Sequence, residues 1–457
     1  MRLPANKKKR GRRILVFEEI SQLAALEILN ASLRECRNMS DPQVIVVGGG
    51  PAGLVLALLL SRSGIRVTVL EQAATFAREF RGELLQPGAN RIFGDLGLRE
   101  RILALGYVFP SGMDIRDGRK TVRFELPPVL DSRRGDGIMI VPQQKLLELL
   151  AAEASKQSTF RLVMGCFARE LLRGANSVGG VRAQLRSGAE MMVRAPLVVA
   201  CDGRFSATRR AAGIGVRESP VPFDLVWFSA LNPGTLPDRI HLRVARDQMF
   251  VAFASRSNQL QIGWFVHKGK YARLRARPFA ETVNHIAAHV PVQLDRTVRQ
   301  ALNGWHDLSL LPAVSQVAET WSQPGLLLLG DAAHPMSPSM GQGINVAIYD
   351  AVVAAQRLVP AFAAGAPLDE AARAIEKQRR PAIAATQRTQ NIITGIMYAL
   401  GPDATLKFAS ALIGVGTRTR WWPQCIRREA DRLLWGDPWV RANHGPWVLA
   451  DNKAASR

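Results

Sequence analysis

The sequence predicts an α/β fold in an α+β two-domain arrangement, and three observations carry that prediction. A βαβ unit with a glycine-rich turn stands near residue 45, and two later strands end in an acid beside a glycine. Between those two strands the chain breaks into short Val-, Phe- and Trp-rich runs separated by polar turns. βαβ units build a parallel sheet covered by helices, whereas short alternating runs build a largely antiparallel one.

The βαβ unit is residues 43–72, QVIVVGGGPAGLVLALLLSRSGIRVTVLEQ. A β-branched run leads through Gly48-x-Gly50-x-x-Gly53 into an apolar helix, a turn at Gly64 and a second strand that ends at Glu71. Gly48 permits the tight turn, Gly50 lets a pyrophosphate approach the backbone, and Gly53 lets helix and sheet pack closely. Pro51 and Ala52 occupy the first helical turn, where the missing proline N–H costs nothing and the free N–H groups offer an anion site. Glu71 stands at the distance from which an acid accepts hydrogen bonds from a ribose.

A chain of 457 residues exceeds one small domain, and its 47% hydrophobic content suits a globular core. The net charge of +22 fits attraction to anionic cofactors, but the cations are scattered and no nucleic-acid-binding motif accompanies them, so no nucleic-acid partner is expected. Cys36, Cys166, Cys201 and Cys425 are far apart and form no CxxC, which leaves no adjacent-thiol redox pair and no metal-ligand cluster and points to a reducing, cytoplasmic setting. No uninterrupted apolar run reaches the length of a bilayer.

Residues 1–40 form a basic extension with Lys7-Lys8-Lys9-Arg10 and Arg12-Arg13, too interrupted by Glu18 and Glu19 for a secretory signal. A solvated tail, a nuclear-import or lipid-surface segment, and a native start at Met39, directly before the first strand, are the readings. After the βαβ unit, Arg81 in RGELLQPG is placed to meet a phosphate. Residues 112–126 read as a hairpin turning at Asp117-Gly118, and Gln143 opens a helix from which it could reach a cofactor edge. Strands are expected at 160–164 and 181–193, the latter a hairpin about Ser187-Gly188, and at 197–201. The last ends in Asp202-Gly203, with Arg209 in the helix start beyond, where open α/β sheets bind ligands.

Strands at 225–230, 249–254 and 260–266 put Trp227, Phe228, Phe250, Phe253, Trp264 and Phe265 on sheet faces, either as core or as the lining of an apolar cavity. His267 and Tyr271 are polar candidates at its edge without an assigned role. A buried strand at 326–329 then runs into GDAAHPMSPSMGQGIN, with Asp331 at the strand end and a helix from about 346 to 358. That helix start would favour negative charge developing on a bound ring. His334, beside Pro335, reads as support for the turn.

The Gly48 motif with Glu71, the Asp202-Gly203 segment and the Gly330-Asp331 segment, in this order, resemble the three fingerprints of class A flavoprotein monooxygenases, the family of para-hydroxybenzoate hydroxylase and the ubiquinone-biosynthesis hydroxylases. The resemblance implies a glutathione-reductase-type, Rossmann-like FAD domain (41–106, 138–215 and 316–390) interrupted by a mainly antiparallel substrate-binding sheet (107–137 and 216–315), with a helical tail over 391–457. It implies that Gly48, Gly50, Pro51, Ala52 and Gly53 hold the FAD pyrophosphate and Glu71 the adenosine ribose. Arg81 and Gln143 would contact the diphosphate and ribityl region, and Asp331 the ribityl chain. Gly343, Ile344 and Asn345 would face the flavin pyrimidine edge, Pro338 the reacting face, and Asp202 and Arg209 both FAD and NAD(P)H. Met340 departs from the pattern, standing where glycine is common.

The implied reaction is hydroxylation or epoxidation of an aromatic or bulky apolar small molecule: NAD(P)H, a transient visitor, reduces FAD, O2 adds to give a flavin C4a-hydroperoxide, and its terminal oxygen is transferred. No catalytic acid or base is required, and none is assigned. The segment from Gly82 to Gly88 also resembles squalene epoxidases, a hint of a bulky apolar substrate. A flavin-dependent halogenase, against which the absent WxWxIP stretch speaks, and a non-catalytic FAD-binding redox or ligand sensor are the alternatives. The tail at 392–400, 406–413 and around Trp421-Trp422 is read as packing on its own domain, capping the pocket, pairing with a second subunit in a homodimer, or resting on a membrane surface through Arg418, Arg420, Arg427 and Arg428.

Overall fold

The computed structural model describes residues 41–77, 83–116, 121–125, 137–234, 236–245, 248–255, 259–399, 432–434 and 436. Arg81, the Asp117-Gly118 turn, the basic extension, Cys36, Cys425 and the tail segments at 406–413 and 418–428 lie outside the described residues.

The sheet that carries the glycine motif has six strands. We label them β1 (Val44–Val47), β2 (Val67–Glu71), β3 (Phe160–Met164), β4 (Leu197–Ala200), β5 (Ser322–Gln323) and β6 (Leu326–Leu328), lying in the order β5-β6-β4-β1-β2-β3. All neighbours are parallel except the short edge pair β5 and β6. Alternation explains why β1 is apolar at every position. Val44 and Val46 pack into a helical layer built on Pro51–Arg62 (α1), Pro87–Asp95 (α2), Gln143–Ala154 (α3) and Gly343–Ala364 (α4). Ile45 and Val47 pack on the opposite side, against residues of a three-stranded antiparallel sheet, Cys166–Arg173, Val178–Leu185 and Glu190–Arg194. A parallel strand covered on both faces has no polar side to show. The hairpin expected about Ser187-Gly188 is the pair Val178–Leu185 and Glu190–Arg194; the strand Cys166–Arg173, with Glu170 and Arg173 exposed, was not legible as one.

Helix α4 starts at Gly343, three residues before the expected start, and runs through Pro360 to a left-handed cap at Gly365 (φ 60°). By length and composition it could cross a membrane, but most of it is buried against α1, α2 and the long helix Leu368–Ala399 (α5), as a core helix is.

The second sheet has seven strands, in the order Ser309–Leu311, Phe223–Leu231, Gln259–His267, Gln248–Ala254, Ile240–Ala245, Gly112–Arg116, Thr121–Glu125. It is antiparallel except where Ile240–Ala245 meets Gly112–Arg116, so two distant chain segments close one sheet. Its two faces differ. Val226, Phe228, Phe250, Ile262 and Trp264 are covered by the helices Lys270–Arg275, Phe279–His289 and Asp295–Ala301, three elements the sequence reading did not place. Phe223, Leu225, Trp227, Met249, Phe253 and Phe265 face the other way, toward Leu84 and Ile140 of the small strand pair Leu84–Leu85 and Met139–Ile140. The aromatic residues that sequence alone could only put on "a face" thus divide into Phe228, Phe250 and Trp264 under helices and Trp227, Phe253 and Phe265 toward the first domain. Tyr271 belongs to the helix-covered side, edge-on to Trp305 at 6.0 Å between ring centres, and so does not stand at the edge of the other face.

Candidate functional site

Three strand ends meet at the carboxyl edge of the parallel sheet. Gly48 has φ 104°, and a methyl placed on it would lie 2.4 Å from the carbonyl oxygen of Cys201, so the end of β1 and the end of β4 touch through backbone. Such a φ is strained for any side chain, and here there is no room for one either. A methyl on Gly53 would lie 2.0 Å from the Gly48 carbonyl oxygen and 3.1 Å from Val46 Cγ1, which is why α1 can lie so close to β1. Gly50 differs: a methyl there would meet nothing within 4 Å. Two glycines of the motif are therefore demanded by the protein's own atoms, and the middle one borders open space. Gly50 is also the N-cap of α1, with no side chain capping the first turn and Pro51 at its start, so the N–H groups of that turn point outward with the positive end of the helix dipole.

Glu71, only 3% exposed, accepts hydrogen bonds from Gly49 N–H (2.7 Å) and Ala73 N–H (2.8 Å), tying the end of β2 to the glycine turn. Beyond β4, Asp202 accepts from Ser206 Oγ (2.5 Å) and from Thr208 N–H (2.9 Å), and Ser206 Oγ caps the short helix Ala207–Ala211 by accepting from Arg209 N–H. Arg209 turns inward and donates to Ala332 O (2.9 Å). Burial lowers its pKa from the ordinary guanidinium range, opposed by nearby Asp202. The second strand end is thereby clamped to the third. The Cys201 thiol is pushed well up by burial, then by Asp202 and Asp350, and stays neutral.

The third strand end, Gly330-Asp331-Ala332, forms one 3-10 turn. Gly330 sits against Ala52 of α1 and Ala347 of α4, 3.3 and 3.4 Å from where its own methyl would be, so Asp331 lies beside the start of α1. Asp331 is half-buried, and no hydrogen bond or ion pair among the described residues engages its carboxylate.

Beneath this turn lies a group of buried charges that sequence reading missed. Asp350, fully buried on α4, accepts from His334 Nε2 (2.6 Å), Gly330 N–H (3.2 Å) and Arg379 Nε of α5 (2.7 Å). Burial alone would raise the Asp350 pKa, but His334 and Arg379 outweigh it and hold the carboxyl below its ordinary value. His334 supports the turn, as expected from its neighbour Pro335. The available signal for Asp350 was an acid inside the apolar run of α4.

The loop after the turn is held by α5 as well. Gln390 donates to Ser337 O (3.0 Å) and Ser339 O (2.7 Å), and Gln387 to Gln316 O and Pro335 O, so Pro338 is carried on a fixed, half-buried segment. Met340 is the one non-glycine residue with positive φ among the described residues (65°). That conformation accounts for glycine being common at this place in the resembling family. Gly343 and Ile344 open α4, and Asn345, fully buried, spends its side chain on protein: Oδ1 accepts from Gln86 N–H (2.7 Å), and Nδ2 donates to Leu84 O and Gly341 O. Only main chain remains there to meet a ligand. Gln143 stands half-buried in the first turn of α3, preceded by Pro142.

The aromatic face of the second sheet lies on the Leu84 side of this loop. A methyl on Gly341 would come 3.4 Å from Leu84, and Leu84 packs with Trp227, Phe253 and Phe265. Trp227 lies across Gly263, whose methyl would fall 2.9 Å from the indole ring, and stands edge-on to Phe253 at 5.9 Å; Phe223 meets Phe265 at 5.0 Å. Next to these rings on the same face are the buried Gln261, accepting from Ser229 Oγ, and the buried Ser255, whose hydroxyl donates to Glu83.

Residues 41–389 match the model of a family described as an FAD binding domain. The chain is 35% identical to 6-methylpretetramide 4-monooxygenase of Streptomyces rimosus, over 86% of this chain and 96% of that one. It is 26% identical to squalene monooxygenase 1,2 of Brassica napus, over 71% of this chain and 63% of the relative. In structure it resembles PqsL of Pseudomonas aeruginosa, solved in complex with 2-aminobenzoylacetate, with a TM-score of 0.69 at 22% identity, over 80% of this chain and 98% of that one. This last likeness bears on fold alone.

Proposed function

The chain belongs to the FAD-binding-domain family and is an FAD-dependent monooxygenase, and from that premise we propose that it uses NAD(P)H and O2 to hydroxylate a bulky, planar aromatic compound bearing polar substituents. The overall reaction is substrate–H + O2 + NAD(P)H + H⁺ → substrate–OH + H2O + NAD(P)⁺. The observation that carries the substrate class is the face formed by Phe223, Trp227, Phe253 and Phe265, onto which Leu84 packs beside Gly341, with Gln261 and Ser255 on the same surface. Aromatic walls with a few polar groups suit a large ring system whose substituents fix its orientation.

The residues present fit FAD. The open side of Gly50 and the uncapped start of α1 would receive the pyrophosphate, where N–H groups and helix dipole favour an anion. Asp331, with its carboxylate unengaged, would accept hydroxyls of the ribityl chain, and Glu71, already fixing the glycine turn, would stand by the ribose. The main chain of Gly343, Ile344 and Asn345 would meet the pyrimidine edge, and Pro338 would border the reacting face. Asp202 would act from within by bracing the short helix after its own strand, and Arg209 by tying the second strand end to the third. Bound FAD supplies hydride acceptance from NAD(P)H and activation of O2. The protein's own part is orientation and exclusion of water: the aromatic face presses an apolar ring against the loop and leaves few polar groups to admit solvent.

The test is turnover of reconstituted protein under ¹⁸O2 with NADPH or NADH and 6-methylpretetramide as the probe. One ¹⁸O atom in the product, with oxidation of the nicotinamide accelerated by the probe, is expected. Nicotinamide oxidation that the probe leaves unchanged, with no labelled product, would overturn the reading. A brominated product on addition of bromide would assign a halogenase instead.

A further inference from the structure

We propose that Gln86 is a specificity-determining residue, the hydrogen-bond acceptor for a hydroxyl group on the aromatic substrate. The inference rests on the monooxygenase reading above and names a chemical feature of its substrate.

Gln86 is 5% exposed, yet its Oε1 is buried with no hydrogen-bond partner. It stands at the N-cap of α2 without capping it, so the side chain forgoes the N–H groups nearest to it. Buried amide oxygens without a donor are uncommon because they lose hydration and gain nothing in return. The direction of the side chain follows from the strand before it. Leu84 packs with the aromatic face of the second sheet, whereas Leu85 packs into the core of the first domain. Gln86 continues in extended conformation (φ −78°, ψ 159°), and side chains alternate along extended chain, so Gln86 is turned to the side of Leu84.

Its position is also fixed. Gln86 N–H donates to Asn345 Oδ1, and Asn345 belongs to the first turn of α4. The unpaired acceptor is therefore held between the loop that includes Gly341 and the aromatic face. One turn onward, Asn90 likewise keeps an unpaired buried Oδ1 while its Nδ2 donates to Gly137 O (2.7 Å). An acceptor in such a place selects a donor. A phenolic hydroxyl supplies one, and a ring without it leaves the amide oxygen unpaired, the situation in which polar sites discriminate most sharply.

The experiment titrates FAD-loaded protein with 2-naphthol and with naphthalene, following the flavin absorbance perturbation, which needs no turnover. Wild type is expected to bind 2-naphthol at least tenfold more tightly. Gln86→Leu should bring that ratio close to one with naphthalene affinity unchanged, and Gln86→Glu, which keeps an acceptor, should retain a preference. If Gln86→Leu purifies without FAD, Gln86→Met, closer in length and shape, reads the same ratio. Equal binding of the two rings by wild type, binding of neither, a preference that survives in Gln86→Leu, or loss of FAD in both apolar variants overturns the proposal. Absence of an ¹⁸O-labelled product, with the Gln86-dependent preference intact, would sink the monooxygenase reading and leave the hydroxyl-binding assignment standing.

Discussion

The parallel sheet and the antiparallel sheet meet at one site but contribute in different materials. On the parallel side, close contact is made by backbone, Gly48 against the carbonyl of Cys201 and Gly53 against the carbonyl of Gly48, with Gly330 leaving room for nothing larger than the methyl groups of Ala52 and Ala347. On the antiparallel side it is made by side chains, Trp227 laid over Gly263 and Phe253 and Phe265 beside it. Backbone geometry admits very few residue types, whereas a wall of rings can be built in many ways. The first side is suited to one invariant ligand, and the second to whatever substrate a given chain uses.

The largest expected effect separates the glycines of one motif. Gly53→Ala drives a methyl into a backbone oxygen that cannot swing away, and should cost on the order of 4–5 kcal/mol, seen as loss of folded protein in urea titration. Gly50→Ala meets no protein atom within 4 Å and should stay within about 1 kcal/mol of wild-type stability while losing FAD affinity, read by flavin fluorescence. If both variants fold and both bind FAD, the contrast drawn here is wrong.

Next in size is Asp350→Asn, which strands His334 and Arg379 in the interior and should cost about 3–5 kcal/mol. The folded-state pKa of Asp350 is below its unfolded value of about 3.9. Its contribution is therefore complete above pH ~4 and lost as the pH falls through the folded value. Acid unfolding curves should show Asp350→Asn losing less stability than wild type as pH drops below ~4; parallel curves would mean the carboxylate is not what this cluster depends on.

The antiparallel sheet offers its own contrast between two tryptophans. Trp264→Ala should cost about 3–5 kcal/mol and leave the affinity of the folded protein for an aromatic probe unchanged, because its ring lies under helices. Trp227→Ala should weaken 2-naphthol binding at least tenfold. Equal effects on binding would remove the distinction between the faces. The smallest effect is expected at Met340. Met340→Gly relieves roughly 1–2 kcal/mol of left-handed strain and gives back about 0.5–1 kcal/mol in chain entropy, for a small net gain in stability that Met340→Ala should not show.

Much of the parallel side was legible because its demands are local in sequence: a glycine triplet between strands, an acid at a strand end, a four-residue apolar run. What those residues do could not be read as easily. Asp202 and Arg209 look from sequence like ligand contacts; within the protein Asp202 holds Ser206 and Thr208, and Arg209 reaches Ala332, 123 residues on. Asn345 likewise spends its amide on Leu84, Gln86 and Gly341. Long-range pairing also hid Arg379 and Gln390, polar residues of α5 whose partners are Asp350 on α4 and the loop carbonyls of Ser337 and Ser339. In the second sheet, period-two alternation revealed strands but not which face would be covered, since that depends on short helices between 270 and 301.

The central claim is that the ends of β1, β4 and β6 hold one FAD between them. The most direct measurement is a flavin titration of wild type beside Gly50→Ala and Asp331→Asn, one variant at each of two separate strand ends, with folding checked by circular dichroism. One FAD per chain in the wild type, and at least tenfold weaker binding in each folded variant, is the predicted result. A wild-type protein that stays colourless, or an Asp331→Asn variant that binds FAD as tightly as wild type, would contradict it.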